Sequence, residues 1–220
     1  MNKDVLTEGL LETKAISIDI ENPFTFVSGI LSPVYVDCRK LLSYPEIRDE
    51  ITRGFTEIVR NDIGLSEIDV IAGGETAGIP FAAFLAPQID KPMIYVRKKP
   101  KGYGQNSQIE GVLKEGDKVV MVEDVITEGD SKIKFNIGIK GAGANMTHCL
   151  CVFSYESSNL GLSEAEDRLK KFGIKLHSLA NWDDVIRTAQ EGGYWSDKEV
   201  KLITEFLEDP EAWGRKKGYE

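Results

Sequence analysis

The apolar residues near the start of the chain recur at intervals of three and four, which is the spacing of an amphipathic helix. The pattern predicts one helix over residues 5–14 and a second after Pro45, where the apolar positions are Ile47, Ile51, Phe55 and Ile58. Proline in the first turn and Gly64 beyond the last turn mark the ends of this second helix. Between the two helices, apolar runs at residues 24–27 and 34–36 flank a Ser-Gly turn and predict a small hairpin.

From residue 68 onward, short apolar runs alternate with helical segments. The runs that predict strands are residues 68–73, 92–96, 118–124, 148–155 and 174–180. The segments that predict helices between them are residues 79–86, 131–140 and 163–172, and two short helices follow the last strand. Alternation of this kind implies crossover connections between parallel strands. We therefore expect an α/β fold in which a mainly parallel, twisted sheet is flanked by helices.

Composition and cysteine content indicate the class of protein and the cellular compartment. The chain has 41% hydrophobic and 29% charged residues, and its first residues mix acids with bases, so we expect a soluble, cytoplasmic protein without a leader segment or a membrane span. Cys38, Cys149 and Cys151 are too few for a disulfide framework, and we interpret them as small buried hydrophobic residues. With His148 and His177 as the only histidines, metal or triad chemistry based on histidine is not expected.

The net charge of −9 argues against a general nucleic-acid-binding protein, because that function needs a basic surface. An anionic ligand must therefore meet a local concentration of positive charge. One such cluster follows the predicted strand at residues 92–96 and consists of Arg97, Lys98, Lys99 and Lys101. A solvated basic patch is the alternative interpretation of this cluster. Its position beyond a strand end, in an otherwise acidic chain, favours a loop that closes over a polyanion.

Residues 118–131, KVVMVEDVITEGDS, carry the clearest chemical signal. An apolar strand runs directly into two adjacent carboxylates, Glu123 and Asp124, and a tight polar loop then opens a helix. The unpaired N–H groups of a helix N-terminus suit a phosphate. The loop residues that would join them are Thr127, Gly129 and Ser131. The two carboxylates suit vicinal hydroxyls, or a hard cation carried by the ligand. The combination predicts a ribose phosphate ligand.

Ordinary acids at a strand end, with Asp130 as a helix cap, are the alternative interpretation of the same segment. The chain contains no GxxxxGK[ST] motif, and no GxGxxG fingerprint follows a strand. The segment resembles the signature of type I phosphoribosyltransferases, which bind phosphoribosyl pyrophosphate (PRPP) at a strand, an acidic pair and a phosphate loop of this form. The resemblance implies PRPP contacts for Glu123, Asp124, Val125, Ile126, Thr127, Glu128, Gly129, Asp130 and Ser131.

Residues 95–111, YVRKKPKGYGQNSQIEG, resemble the catalytic loop of the orotate phosphoribosyltransferases, which are a branch of that family. The resemblance implies that PRPP is also bound by Arg97, Lys98, Lys101 and Tyr103, and that Lys101 and Tyr103 are the catalytic residues. In the family this loop serves the site of the neighbouring subunit. A homodimer is therefore expected, in which residues 98–108 reach the partner's site.

Two further segments resemble the same branch. Residues 24–51 are similar to its N-terminal hood, which implies that orotate is bound by Tyr35, Val36 and Thr127, with Tyr35 stacking on the pyrimidine. Residues 72–83 are similar to its pyrophosphate-binding loop, which implies PRPP contacts at Thr76 and Ala77. As the family's cofactor, Mg²⁺ would be carried by PRPP and lie near Glu123 and Asp124.

The end of the chain, from residue 181, resembles members of the branch that have short C-terminal helices. The resemblance implies a single type I phosphoribosyltransferase domain over residues 1–220. Its hood would comprise about residues 1–45 together with C-terminal elements, its core residues 46–180, and its C-terminal helices residues 181–210.

Three positions depart from the family pattern. Val27 stands where the family has lysine, Tyr103 stands where it has histidine, and residues 153–158 lack the arginine that contacts the orotate carboxylate. We interpret these departures as variation within the lineage. The expected reaction transfers the 5-phosphoribosyl group of PRPP to orotate and gives orotidine 5′-phosphate and pyrophosphate, in UMP biosynthesis. A phosphoribosyltransferase for another base and a non-catalytic PRPP-binding regulator are the alternatives.

Overall fold

A computed structural model describes residues 1–26, 29–100 and 108–216. The strands are β1 (Ile16–Ile18), β2 (Phe24–Thr25), β3 (Leu31–Ser32), β4 (Val34–Val36), β5 (Val70–Gly74), β6 (Met93–Val96), β7 (Ile109–Glu110), β8 (Lys118–Ile126), β9 (Asn145–Ser154) and β10 (Lys175–Ala180). The α-helices are α1 (Lys3–Glu12), α2 (Pro45–Ile58), α3 (Gly78–Gln88), α4 (Asp130–Gly141), α5 (Glu164–Lys171), α6 (Trp182–Glu191), α7 (Asp197–Glu208) and α8 (Pro210–Lys216).

Six strands form the central sheet in the order β10-β9-β8-β5-β6-β7. The first five are parallel to their neighbours, and only β7 at the edge is antiparallel. The predicted α/β fold with a mainly parallel sheet is therefore confirmed. Strand β7 was not predicted, because its two residues lie in a polar stretch without strand periodicity. Parallel pairing brings the carboxyl ends of β5, β6 and β8 to one edge of the sheet, where ligands bind in folds of this type.

The helices cover both faces of the sheet. One buried apolar cluster joins one face to α1, α2, α3, α6 and α7, and a second joins the opposite face to α4 and α5. Trp182 is fully buried in the first cluster, where its ring packs edge-on against Phe153 and Tyr155. All three cysteines are free and buried, as predicted. Because helices cover both faces of β5, β8 and β9, the sequences of these strands are continuous apolar runs.

The second helix has the predicted boundaries. Pro45 is its first residue, and a short π-helical segment, Val59–Ile63, continues it to Gly64. The backbone of Gly64 has φ +92°, a value that favours glycine because it lacks a Cβ. The chain can therefore turn sharply there toward β5.

The predicted hairpin between residues 24–27 and 34–36 is wrong. Strand β4 pairs instead with β1, which places Tyr35 opposite Ser17, and β2 pairs with β3. Val34 and Val36 point into the core, so they need an apolar neighbour, which β1 provides through the buried Ile16. Strand β4 pairs with β1 because its valines must be buried, and the local sequence pattern did not specify that burial.

The described residues after β10 form three helices where two were predicted. Helices α6 and α7 both begin with a capping box, formed by Asn181 with Asp184 and by Ser196 with Glu199. A third helix, α8, starts at Pro210 directly after α7 ends. Proline is tolerated at a first helical position but cannot continue the preceding helix, so the chain breaks there into two helices. No helix in the described part of the chain is long and apolar enough to cross a membrane.

The two histidines meet on the outer pair of parallel strands. His148 on β9 and His177 on β10 have ring nitrogens 3.0 Å apart. Burial lowers the pKa of His177 to about 4, with His148 and Lys175 adding to the effect and Asp62 opposing it. Burial also lowers the pKa of His148, with Lys175 adding and Glu67 opposing. The folded state therefore favours the neutral pair.

We predict that this pair destabilises the fold as the pH falls from about 6.5 toward about 4. In that window the unfolded chain binds protons that the folded pair does not, so the free energy of unfolding decreases with falling pH. Replacing His177 with glutamine should reduce the difference in unfolding free energy between pH 7 and pH 5 by on the order of 1 kcal/mol, given the partial exposure of the ring. Urea denaturation at both pH values measures this difference for wild type and variant. Carboxyl groups whose pKa is raised by burial make the free energy of unfolding increase as the pH falls. The pH dependence of the variant is therefore compared with that of wild type. An unchanged difference would contradict the prediction.

Candidate active site

The hood and the carboxyl ends of β5 and β8 enclose a cavity of about 330 Å³. Its walls bring together many of the predicted PRPP and orotate residues, namely Tyr35, Val36, Thr76, Ala77, Lys98, Glu123, Asp124, Val125 and Ser131. These residues come from four separate segments of the sequence. The cavity is therefore the candidate active site.

The acidic pair forms the floor of this cavity, and its two carboxyl groups have different neighbours. Strand β8 continues to Ile126, so Glu123 and Asp124 lie within the strand and not in the loop beyond it. Neighbouring residues of a strand point to opposite faces. Glu123 accordingly lies beside Lys132 of α4, whereas Asp124 makes no ion pair with Lys132 in the described residues and feels the charges of both Lys132 and Arg39.

Burial controls the ionisation of both carboxyl groups. Burial raises the pKa of Glu123 to about 7, with Asp124 adding to the rise and Lys132 opposing it. Burial likewise raises the pKa of Asp124, although backbone hydrogen bonds and Lys132 oppose the effect. The oxygen Oε1 of Glu123 is buried and accepts no hydrogen bond from the described residues. The floor of the cavity therefore carries an oxygen that can accept a hydrogen bond from a ligand.

The phosphate-loop residues lie at the start of α4. Gly129 adopts the left-handed conformation, with φ +86°, and is the N-cap of the helix. The alternative interpretation of Asp130 as the cap is wrong, because Asp130 is the first helical residue and its carboxylate lies 2.7 Å from Arg168. Ser131 of this first turn lines the larger cavity, so the free N–H groups of the helix start lie beside the cavity, where they would stabilise a phosphate.

A second cavity, of about 170 Å³, adjoins the first loop residues. Thr127 and Glu128 line it together with Phe26 of the hood, Tyr155 at the end of β9 and Phe206 of α7. The three predicted orotate residues are therefore divided, since Tyr35 and Val36 line the larger cavity and Thr127 lines the smaller. Ile126 lines neither cavity, because its side chain is fully buried in the core.

The basic cluster is only partly brought to the site. Lys98 lines the larger cavity, and its backbone N–H donates to Glu75 at 2.7 Å. Arg97 does not line either cavity; its guanidinium lies 3.6 Å from Glu110 of β7. Lys101 and Tyr103 lie outside the described residues, as does Val27. The catalytic assignment of Lys101 and Tyr103 remains a prediction.

Sequence reasoning missed several residues of the larger cavity, namely Asp37, Arg39, Glu75, Lys132 and Phe135. Asp37 holds the Arg39 guanidinium at 2.5 Å, and Arg39 also donates to the hydroxyl of Tyr35 at 3.4 Å. Lys132 follows Ser131 directly, so its position at the phosphate loop was visible in the sequence. Its burial was not, because lysine is rarely buried without a partner.

Gly74 leaves room for the carboxylate of Glu123. A Cβ at Gly74 would lie 1.8 Å from Oε1 of Glu123 and 2.9 Å from the ring of Phe135. We predict that Gly74→Ala lowers the free energy of unfolding by about 1–3 kcal/mol, since Glu123 is enclosed and must leave its position. The matched control is Gly141→Ala, where a Cβ would meet nothing within 4 Å. Chemical denaturation of both variants measures the effect; equal stabilities would show that Glu123 moves freely.

Comparison with known proteins agrees with this geometry. The phosphoribosyl transferase domain matches residues 39–183. An orotate phosphoribosyltransferase of Jannaschia sp. is 47% identical over 209 residues, which cover 95% of this chain and 90% of the relative. A second, from Sinorhizobium medicae, is 42% identical over 215 residues, which cover 98% of this chain and 91% of the relative.

A solved structure shares the fold as well. The crystal structure of orotate phosphoribosyltransferase from Aeropyrum pernix superposes with a TM-score of 0.70 and is 28% identical. The match covers 87% of this chain and 99% of that chain. With a domain match over most of the chain and relatives above 40% identity along nearly its whole length, the chain belongs to the orotate phosphoribosyltransferases, within the phosphoribosyl transferase domain family.

Proposed function

We propose that this protein transfers the 5-phosphoribosyl group of PRPP to orotate, with release of pyrophosphate and formation of orotidine 5′-phosphate, in the synthesis of UMP. The observation that carries the proposal is the cavity in which an acidic pair with a buried Glu123, a phosphate loop, a basic residue and the hood meet. Family membership supplies the reaction class. The predicted hood residues favour orotate over other acceptors.

Each part of the cavity has a chemical task in this proposal. The turn from Thr127 to Ser131 binds the 5′-phosphate through backbone N–H groups at the start of α4. Glu123 and Asp124 accept hydrogen bonds from the ribose hydroxyls. Lys98 and Lys101 neutralise the leaving pyrophosphate, and the neutral hydroxyl of Tyr103 donates a hydrogen bond to it. Positioning and charge stabilisation then account for catalysis, and no covalent nucleophile is required.

The donor set of the cavity fits Mg²⁺, which prefers hard oxygen ligands. Carboxylates of Asp37, Glu75, Glu123 and Asp124 line it. Within the described residues no group of three or more His, Cys, Asp or Glu side chains is placed to hold a metal alone. That arrangement suits an ion whose remaining ligands are oxygens of PRPP. When bound there, Mg²⁺ would neutralise charge on the pyrophosphate.

The acceptor would bind near Tyr35, which lines the larger cavity, and Thr127, which lines the smaller one. Tyr35 is 39% exposed, and its ring lies 5.5 Å from that of Phe24, so one ring face is supported by the hood. The smaller cavity has an apolar wall to which Phe26 and Phe206 contribute. We further propose a cytoplasmic homodimer in which residues 98–108 serve the partner's site, as the family resemblance implies.

The direct test is an assay of purified protein with PRPP, orotate and Mg²⁺. We expect pyrophosphate release and orotidine 5′-phosphate formation, with loss of both when the metal is chelated. Adenine, hypoxanthine and uracil serve as alternative acceptors in parallel reactions. Pyrophosphate release with one of these bases but not with orotate would overturn the acceptor assignment. PRPP binding without turnover on any base would favour the non-catalytic regulator.

We predict that Lys101→Ala lowers kcat by about 10²-fold or more and changes the Kd for PRPP much less. The physical reason is that charge on the leaving group develops in the transition state, where a cation stabilises it most. Lys99→Ala is the matched control, because Lys99 is exposed, lies in the same segment and does not line either cavity. Steady-state kinetics together with calorimetric PRPP titrations separate the two effects. Equal kcat values for the two variants would remove Lys101 from the mechanism.

A further inference from the structure

Lys132 is a buried cation at the edge of the candidate active site. It lies in the first turns of α4, directly after the phosphate loop, and its side chain is only 9% exposed. Its ammonium donates to the carbonyl oxygen of Val125 at 3.1 Å and lies 3.5 Å from Oε2 of Glu123. One contact is with the acidic pair and the other with the end of β8 that leads into the phosphate loop. The family resemblance assigned no role to this residue.

The other oxygen of Glu123 is left for a ligand. Oε1 is buried without a hydrogen-bond partner among the described residues. It lies against Gly74, where a Cβ would approach it to 1.8 Å. The carboxylate is thus fixed on one side by Lys132 and accommodated on the other by a glycine. A buried, unpartnered acceptor in a ligand cavity is placed to receive a hydrogen bond from the ligand.

The charge balance of the cavity requires a cation at this place. Glu123 and Asp124 are adjacent carboxylates, the chain carries a net charge of −9, and the proposed ligand is itself a polyanion. Arg39 is engaged by Asp37, and Lys98 lies at the cavity rim on an exposed segment. Lys132 is the buried cation that contacts the floor. A buried ion of either sign is costly without its partner, so the pair depends on both members.

We propose that Lys132 is a positioning residue for PRPP: it orients the carboxylate of Glu123 so that Oε1 accepts a hydrogen bond from a ribose hydroxyl, and it ties that carboxylate to Val125 at the phosphate loop. The inference rests on the proposed function, since it assigns PRPP to this cavity. Lys132 acts through Glu123 and does not itself contact the reacting atoms. Its role is therefore coupled to the presence of a carboxylate at residue 123.

A double-mutant cycle tests this coupling. The variants are Lys132→Met, which removes the charge and keeps a long stem, Glu123→Gln, and the two combined. Lys132→Arg tests rescue, and Lys134→Met is the matched control, because Lys134 is exposed on the same helix. For each protein, calorimetry gives the Kd for PRPP with Mg²⁺, and kinetics give the KM for PRPP and for orotate.

We expect Lys132→Met to weaken PRPP binding by about tenfold or more, the loss of one charge-assisted interaction, and to leave the KM for orotate within about twofold of wild type. Lys132→Arg should recover most of the affinity, and Lys134→Met should bind as wild type does. In the double variant, PRPP affinity should equal that of Glu123→Gln alone, because Lys132 acts on PRPP only through the carboxylate that Glu123→Gln has already removed.

Additive losses in the double variant would overturn the inference, since Lys132 would then act independently of Glu123. PRPP affinity within about twofold of wild type in Lys132→Met would do the same. If Lys132→Met alone does not fold, Lys132→Gln in the Glu123→Gln background decides: a further loss of PRPP affinity overturns the proposal, and equal affinity supports it. Failure of the proposed function is separate, because it would appear as wild-type protein that makes no orotidine 5′-phosphate.

Discussion

The parallel pairing of β8 with β5 on one side and β9 on the other is the constraint on which the site depends. Backbone hydrogen bonds fix Gly73 opposite Val122 and Glu123 opposite Cys151. Once this register is set, the carboxyl ends of β5 and β8 meet at one edge, and the loop after each strand faces the same cavity. A shift of one residue would move Glu123 to the other face of the sheet.

The same register explains the electrostatics of the site. The chain is acidic and the proposed ligand is a polyanion, so the proposed binding relies on backbone N–H groups at a helix start and on a few cations close to the cavity. Lys132 lies beside Glu123 and also acts on the neighbouring Asp124, to which Arg39 adds a smaller effect. Glycine also lets α3 lie close to β8, because a Cβ at Gly78 would lie 2.1 Å from the carbonyl oxygen of Val122. Close approach of α3 to β8 brings the two loops into one site.

Features with a strong local period were predicted well. The boundaries of α2, the alternation of strands and helices after residue 68 and the buried state of the cysteines all followed from periodicity and composition. Features that depend on distant partners were not. The pairing of β4 with β1 and the short edge strand β7 each depend on neighbours that a two- or three-residue pattern cannot specify. The break between α7 and α8 is different, because Pro210 marks it locally.

The candidate site divides in the same way. The sequence by itself determined that a strand, an acidic pair and a polar loop occur in succession, and it predicted a ribose phosphate ligand, because these residues are contiguous and their chemistry is local. Only the tertiary structure decided which side chains meet there. It placed Lys132 under Glu123, turned Arg97 toward Glu110 and divided Tyr35 and Thr127 between two cavities. Side-chain direction and burial are set by the packing of the sheet against its helices, which no short segment encodes alone.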